Sequence, residues 1–119
     1  TSLSLSPPTM IVCVNKEASI HKILKNDKKF VINVLSINQQ DLSILCSGSE
    51  EGESRFKDKG WVSENDLILN SNSVSNIICN CTNIIDSSTH SVFFGEVLDV
   101  KNNNQDKALL YASGGYIID

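Results

Sequence analysis

No stretch of this 119-residue chain approaches the roughly 18 consecutive apolar residues that a membrane-spanning helix needs. Basic residues are few: ten Lys and Arg stand against fourteen Asp and Glu, a formal net charge of −4. Apart from the run between Lys22 and Lys29 they are scattered, so the basic footprint that a phosphate backbone requires is missing. Nucleic acid is therefore not an expected partner, nor is a membrane. Catalytic residue types are scarce too. There are two histidines, His21 and His90, and no G-x-S-x-G elbow, Walker A loop, H-E-x-x-H motif or dinucleotide-binding glycine fingerprint. The acidic residues fall mainly in loops such as Glu50-Glu51-Gly52-Glu53, where a solvated surface is the plain reading.

The four cysteines, Cys13, Cys46, Cys79 and Cys81, have neither a disulfide-framework nor a zinc spacing. Cys79 and Cys81 share one face of a strand by period-2 geometry, and packing as small hydrophobes is the expectation for them. A reducing, cytoplasmic setting follows from that usage. The chain opens "TSLSLSPP", without Met and without a signal-peptide layout, and is expected to start inside a longer natural sequence. Its length sets an upper bound of one domain.

What is present is a series of short β signals with two helical ones inserted early. "TMIVCV" (9–14) and "KFVINVL" (29–35) read as strands. Between them "SIHKILKND" (19–27) spaces Ile20, Ile23 and Leu24 helically behind Ser19, a candidate N-cap. Ser36 and Gln39 make a capping box for "INQQDLSILCSG", stopping at Gly48. Residues 49–60 read as a polar loop with one short helical turn. "DLILN", "NIICNCTNII" (76–85), "HSVFFGEVLDVK" (90–101) and "ALLYA" read as strands, the middle two as an antiparallel hairpin. The Asn-rich turns read as composition bias. The fold class expected is mostly β, a β-barrel carrying inserted helices.

Two places invite chemistry. A strand running through "NKEAS" into a helix makes an anion site, with Lys16 adding charge and Asn15 and Ser19 adding donors. Equally, Ser19 could merely cap its own helix. Ser2, Ser4 and Ser6 alternate along an extended segment, so they share one side and could line a polyol, or face water. In "HSVFFGEVLDV", His90 heads a face with Val92, Phe94 and Glu96, and Ser91, Phe93 and Gly95 form the other. A mid-strand glycine such as Gly95 points to a bulge or a close-approaching group. His90 itself is open between strand-end packing and a polar group aimed at a ligand.

Taken in order, the motifs resemble the flavin reductase-like family. "TSLSLSPP", the strand after it, "NKEAS" and "FVINVL" are similar to the family's T-S-x-S-x-x-P-P, N-[RK]-x-x-S and F-x-[VI]-N-V-L. "SRFKDKGW" resembles its [DS]-R-F segment, "STHSVFFGEVLDV" its [GS]-[DT]-H-x-x-F-x-G-E-V motif, and "LLYASGGY" its terminal L-x-Y-x-x-G-x-Y. The pattern is similar to the small reductase components of two-component monooxygenases, of the 4-hydroxyphenylacetate 3-monooxygenase reductase kind.

The resemblance implies a split β-barrel homodimer of FMN-binding type that oxidises NADH or NADPH and reduces FMN or FAD for a separate oxygenase. It implies flavin contacts at Thr1, Ser2, Leu3 and Ser4, and flavin phosphate contacts at Asn15, Lys16 and Ser19. It places His90 by the nicotinamide, as a positioning group, with Tyr111, Gly114 and Tyr116 closing that side. Thr89 stands where the family usually has an acidic residue, and Ser6 where relatives often have Asp. Two upstream strands expected in the family are absent from residues 1–119, which would leave a sheet edge open. A non-catalytic FMN-binding flavoprotein for storage or electron transfer is the alternative, and a cofactor-free oligomerising β-domain is a third reading.

Overall fold

The computed structural model describes residues 1–48, 55–57 and 59–117. Among these residues it is mostly β with two inserted α-helices. The order is β1 (Ser2–Leu5), β2 (Pro8–Asn15), α1 (Ser19–Asn26), β3 (Lys29–Val34), a 3-10 turn (Ile37–Gln39), α2 (Gln40–Ser47), β4 (Trp61–Glu64), β5 (Leu67–Asn70), β6 (Ser75–Asp86), β7 (His90–Asn102), β8 (Leu110–Ala112) and β9 (Gly115–Ile117). One five-stranded sheet runs β1-β2-β7-β6-β3, and β4-β5 and β8-β9 form two-stranded sheets. Among the described residues no ladder joins β1 to β3, so no closed barrel forms from these strands. No described helix is long and apolar enough to cross a membrane. Of the expected 49–60 loop, residues 49–54 and 58 lie outside the described residues.

The chain packs as two compact units, one from Thr1–Ile32 with Ile77–Val100, the other from Asn33–Asn76 with the segment from Lys101 onward. In the first unit Phe30, Cys79 and Phe93 are buried together with Ser91 and Gly95. Gly95 is where the close approach occurs. A Cβ added there would stand 2.6 Å from Phe30 Cζ and 2.7 Å from Cys79 Cβ, so only glycine admits both neighbours. Burial pushes the Cys79 thiol up to about 11, which makes it a packing group at neutral pH.

Helix α1 departs from its apolar spacing. Its buried residue is His21, whereas Ile20 and Ile23 are about half exposed. Its N-cap is Ala18, which offers no side-chain hydrogen bond, so Ser19 is the first helical residue and not the cap.

The second unit has a polar interior. Gln39 Nε2 donates to Asn70 Oδ1 at 3.0 Å, the Asn70 amide to Asn33 Oδ1 at 3.1 Å and Asn76 Nδ2 to Asn33 Oδ1 at 2.7 Å. Asn103 Nδ2 donates to Asn76 Oδ1 at 2.8 Å. Asn70, Asn76 and Asn103, from turns that read as composition bias, thus join Asn33 in one web, with Asn70 and Asn76 fully buried. The Ser36–Gln39 capping box forms as expected, but it opens the 3-10 turn that leads into α2. The turns of the small hairpins also have local causes. Asn65 and Asp66, at φ 52° and 66°, join β4 to β5, and Ser113 and Gly114, at φ 54° and 79°, join β8 to β9. Two consecutive residues at positive φ make the two-residue turn whose twist matches paired strands.

Candidate functional site

The register of β2 on β7 decides what shares a face. Thr9 pairs with Glu96, Ile11 with Phe94, Cys13 with Val92 and Asn15 with His90; the alternate pairs are Met10 with Gly95, Val12 with Phe93 and Val14 with Ser91. Directly opposed residues in an antiparallel pair point to the same side of the sheet. One side therefore holds Ser91, Phe93 and Gly95, all buried, and His21 of α1 packs there, its ring edge-on to Phe93 at 5.7 Å. The other side holds Thr9, Ile11, Cys13 and Asn15 against Glu96, Phe94, Val92 and His90, and every one of these is half-buried or exposed.

That open face has a layout. Ile11, Phe94 and Val92 form an apolar strip with Cys13 exposed beside it. Thr9 and Glu96 border one end, and Asn15 and His90 the other. At about 3.4 Å per residue, the six steps from Thr9 to Asn15 span roughly 20 Å. The ends differ in charge: Glu96 lies at one, and Lys16 follows Asn15 at the other.

The predicted flavin segment is divided by a bulge. Ser2 pairs with Met10 but Ser4 pairs with Thr9, so an extra residue, Leu3, is inserted between them. Met10 and Thr9 point to opposite sides of β2, and so therefore do Ser2 and Ser4. The expectation that Ser2, Ser4 and Ser6 share one side is corrected, because the bulge breaks the period and Ser6 lies in the turn beyond β1. Ser4 is on the open face, where its hydroxyl and that of Thr9 both donate to the Pro7 carbonyl, at 2.9 and 3.1 Å. Thr1 exchanges backbone hydrogen bonds with Ile11 and stands level with it.

At the other end, Asn15 Oδ1 accepts from the Glu17 amide at 2.9 Å, tightening the turn into α1. The Lys16 amide donates to Thr89 O at 2.9 Å and its ammonium to Ser87 O, so Lys16 holds the β6–β7 turn with both ends. The Ser87 amide in turn donates to His90 O at 2.8 Å. His90 is exposed, with Nδ1 2.8 Å from Thr89 Oγ1. Asn15, Lys16 and His90 are thus brought together; Ser19 follows on α1. Tyr111, Gly114 and Tyr116 belong to the second unit. Tyr111 and Tyr116 are opposed across the β8–β9 hairpin, rings edge-to-face at 5.1 Å, and Tyr116 Oη is 3.0 Å from Ser43 Oγ.

The sequence reading missed Thr9, Ile11 and the floor they form with Phe94, because a floor exists only once two strands are in register. Also missed was the chain His21, Ser91 and Asp86. The last carboxyl is held below its ordinary value, first by the Ser91 hydroxyl and then by Lys25. Nothing in the sequence marked this trio, because the apolar spacing of Ile20 and Ile23 pointed to a different inward side of α1. No group of three or more His, Cys, Asp or Glu suited to a metal occurs among the described residues.

Comparison with known proteins agrees with this architecture. Residues 1–117 match the family model described as flavin reductase like domain. The chain is 33% identical over 116 residues to the FMN reductase (NADH) RutF of Agrobacterium fabrum, covering 97% of this chain and 67% of that protein. It is 31% identical over 117 residues to the reductase component of the FADH(2)-dependent resorcinol hydroxylase of a Rhizobium species, covering 98% and 65%. The chain thus spans about two thirds of the length of these curated relatives. The solved NADH:FAD oxidoreductase SgcE6 of Streptomyces globisporus superposes with a TM-score of 0.90 at 25% identity, covering 98% of this chain and 72% of that one. Family match and shared fold together establish that this chain belongs to the flavin reductase-like family.

Proposed function

We propose that this chain is the flavin-binding part of an NAD(P)H:flavin oxidoreductase that passes hydride from a nicotinamide nucleotide to FMN or FAD, and that the reduced flavin serves a separate monooxygenase. The observation that carries the reading is the open β2–β7 face. Its apolar strip of Ile11, Val92 and Phe94, bordered by hydroxyl, carboxamide and imidazole groups, suits a flat ring system with a polar rim. The relatives named above support it by their own descriptions. When bound, flavin supplies the hydride acceptor, so the reaction needs no protein nucleophile. That fits a chain so poor in catalytic side chains.

The residues then have distinct tasks. Thr1 and Ser4 would border the ring end, with Leu3 set by the bulge and Ser2 supporting from behind. Asn15, Lys16 and Ser19 would hold phosphate, because the charge difference between the Lys16 and Glu96 ends favours an anion at the former. His90 would position the nicotinamide, its ring steadied by Thr89 in place of the usual acidic residue. For Tyr111, Gly114 and Tyr116 a nicotinamide-side role rests on the family resemblance alone. We take both units as one domain, since the family match runs through both, and infer a split barrel, a homodimer and a cytoplasmic setting from the family resemblance and cysteine usage.

The test is anaerobic addition of NADH, with NADPH in parallel, to the flavin-reconstituted protein. Bleaching of the visible flavin band is expected. A protein that binds FMN or FAD but is reduced by neither nucleotide would be the non-catalytic flavoprotein instead.

A further inference from the structure

The second histidine lies behind the open face. His21 is 8% exposed, and its Nε2 is 2.7 Å from Ser91 Oγ. Ser91 is fully buried and donates to Asp86 Oδ1 at 2.6 Å, while Asp86 Oδ2 accepts from the Lys25 ammonium at 3.3 Å. Proton accounting fixes the direction of the chain. An ionised Asp86 only accepts, so the single Ser91 hydroxyl proton goes to it, and the Ser91 oxygen accepts from His21 Nε2–H. Ser91 is therefore no nucleophile, although the residue types are those of a hydrolytic triad; its hydroxyl points away from the base it would need.

What this chain of bonds controls is the neighbouring residue. Ser91 and His90 are successive residues at the start of β7 and point to opposite sides. The β2–β7 ladder already holds both residues, opposite Val14 and Asn15, and the Ser91 side chain adds a second tie, to α1 and to the end of β6 at once. Register sets the outward direction of His90, and the anchored Ser91 restrains the backbone from which that side chain projects. Thr89 then sets only the rotation of the His90 ring, through Nδ1.

We propose that His21 is a positioning residue for His90, acting through Ser91 from the opposite side of the sheet. The functional half rests on the reading of His90 as the nicotinamide-side group. At metal sites, residues that orient a ligand without touching the metal are worth about ten-fold or more when lost, and a loss of that order is expected here.

The experiment compares the full chain with His21→Leu and His21→Gln, the latter keeping an N–H near the Nε2 position. Three quantities are read: the His90 ring carbon resonance by NMR without cofactor, the FMN dissociation constant, and KM against kcat for NADH. His21→Leu is expected to shift or broaden the His90 resonance and raise KM for NADH about ten-fold, with FMN affinity within about two-fold. His21→Gln should return all three toward the parent. If His21→Leu fails to fold, Ser91→Ala removes the same link and carries the same expectation. Equal loss of thermal stability in both His21 variants, with the His90 resonance and KM unchanged, would make His21 a core residue and overturn the proposal. A shifted resonance with unchanged KM would overturn its functional half by showing that His90 does not serve the nucleotide.

Discussion

Asn15 and His90 are direct partners across the antiparallel β2–β7 ladder. The pairing sets a carboxamide and an imidazole side by side at one end of an open apolar strip, with the Lys16 ammonium one residue further on. Two segments 75 residues apart in the chain thus build one edge of the candidate site, and His90 gains its company from register and not from sequence spacing.

Substitutions at this edge should separate two functions. Lys16→Ala removes a charge-assisted partner for phosphate and should raise the flavin dissociation constant about ten-fold or more, as read by fluorescence titration. His90→Ala should leave that constant little changed and raise KM for NADH. The reverse pattern would exchange the roles given to the two residues.

Gly95→Ala should destabilise the fold by roughly 1–3 kcal/mol in urea denaturation, the usual cost of overpacking a core. The Phe30 ring end can swing aside, but the Cys79 Cβ, 2.7 Å from the added carbon, is fixed to the β6 backbone. A neutral result would mean that the strands separate easily at this point.

Asn33→Ala should cost about 1–3 kcal/mol, chiefly for the Asn70 backbone amide it leaves without a partner, since Asn76 Nδ2 keeps its second bond, to the Asn70 carbonyl. Urea denaturation reads the loss directly. Loss within experimental error would mean that water or a rearranged amide replaces the Asn33 acceptor.

Asp86 predicts a dependence on acid. Its folded pKa is below the ordinary carboxylate value, so its contribution is complete above about pH 4 and is lost as pH falls through the folded pKa. Asp86→Asn should therefore flatten the acid limb of the stability curve below about pH 4 and leave its shape at neutral pH unchanged. An unchanged acid limb would show that Ser91 and Lys25 give the carboxylate nothing in solution.

Much of this was legible in the sequence. Short apolar runs marked β2 and β3, period-2 patterns marked β6 and β7, the S-x-x-Q box marked the entry to α2, and Gly95 marked a bulge or a close approach. What was hidden depends on pairing. The Leu3 bulge, which turns Ser2 away from Ser4, follows from the β1–β2 register and leaves no trace in "TSLSLS". The inward side of α1 is taken by His21 because Ser91 offers it a hydrogen bond, against the apolar spacing of Ile20 and Ile23. The asparagine web draws on Asn33, Asn70, Asn76 and Asn103, four separated positions whose shared role arises only in the packed unit. The Asn65-Asp66 turn was legible by its residue types and went unread.

The central claim, that the open β2–β7 face carries the flavin, is tested most directly at Cys13. Its thiol is exposed on that face, between the Ile11–Phe94 and Asn15–His90 pairs, while Cys46 is exposed on α2 and serves as an internal control. Alkylation at pH 8 is followed for each cysteine by mass spectrometry, with and without saturating FMN. The account predicts that FMN slows modification of Cys13 and leaves Cys46 at its original rate. Equal rates at Cys13 with and without bound FMN would contradict it and move the flavin off this face.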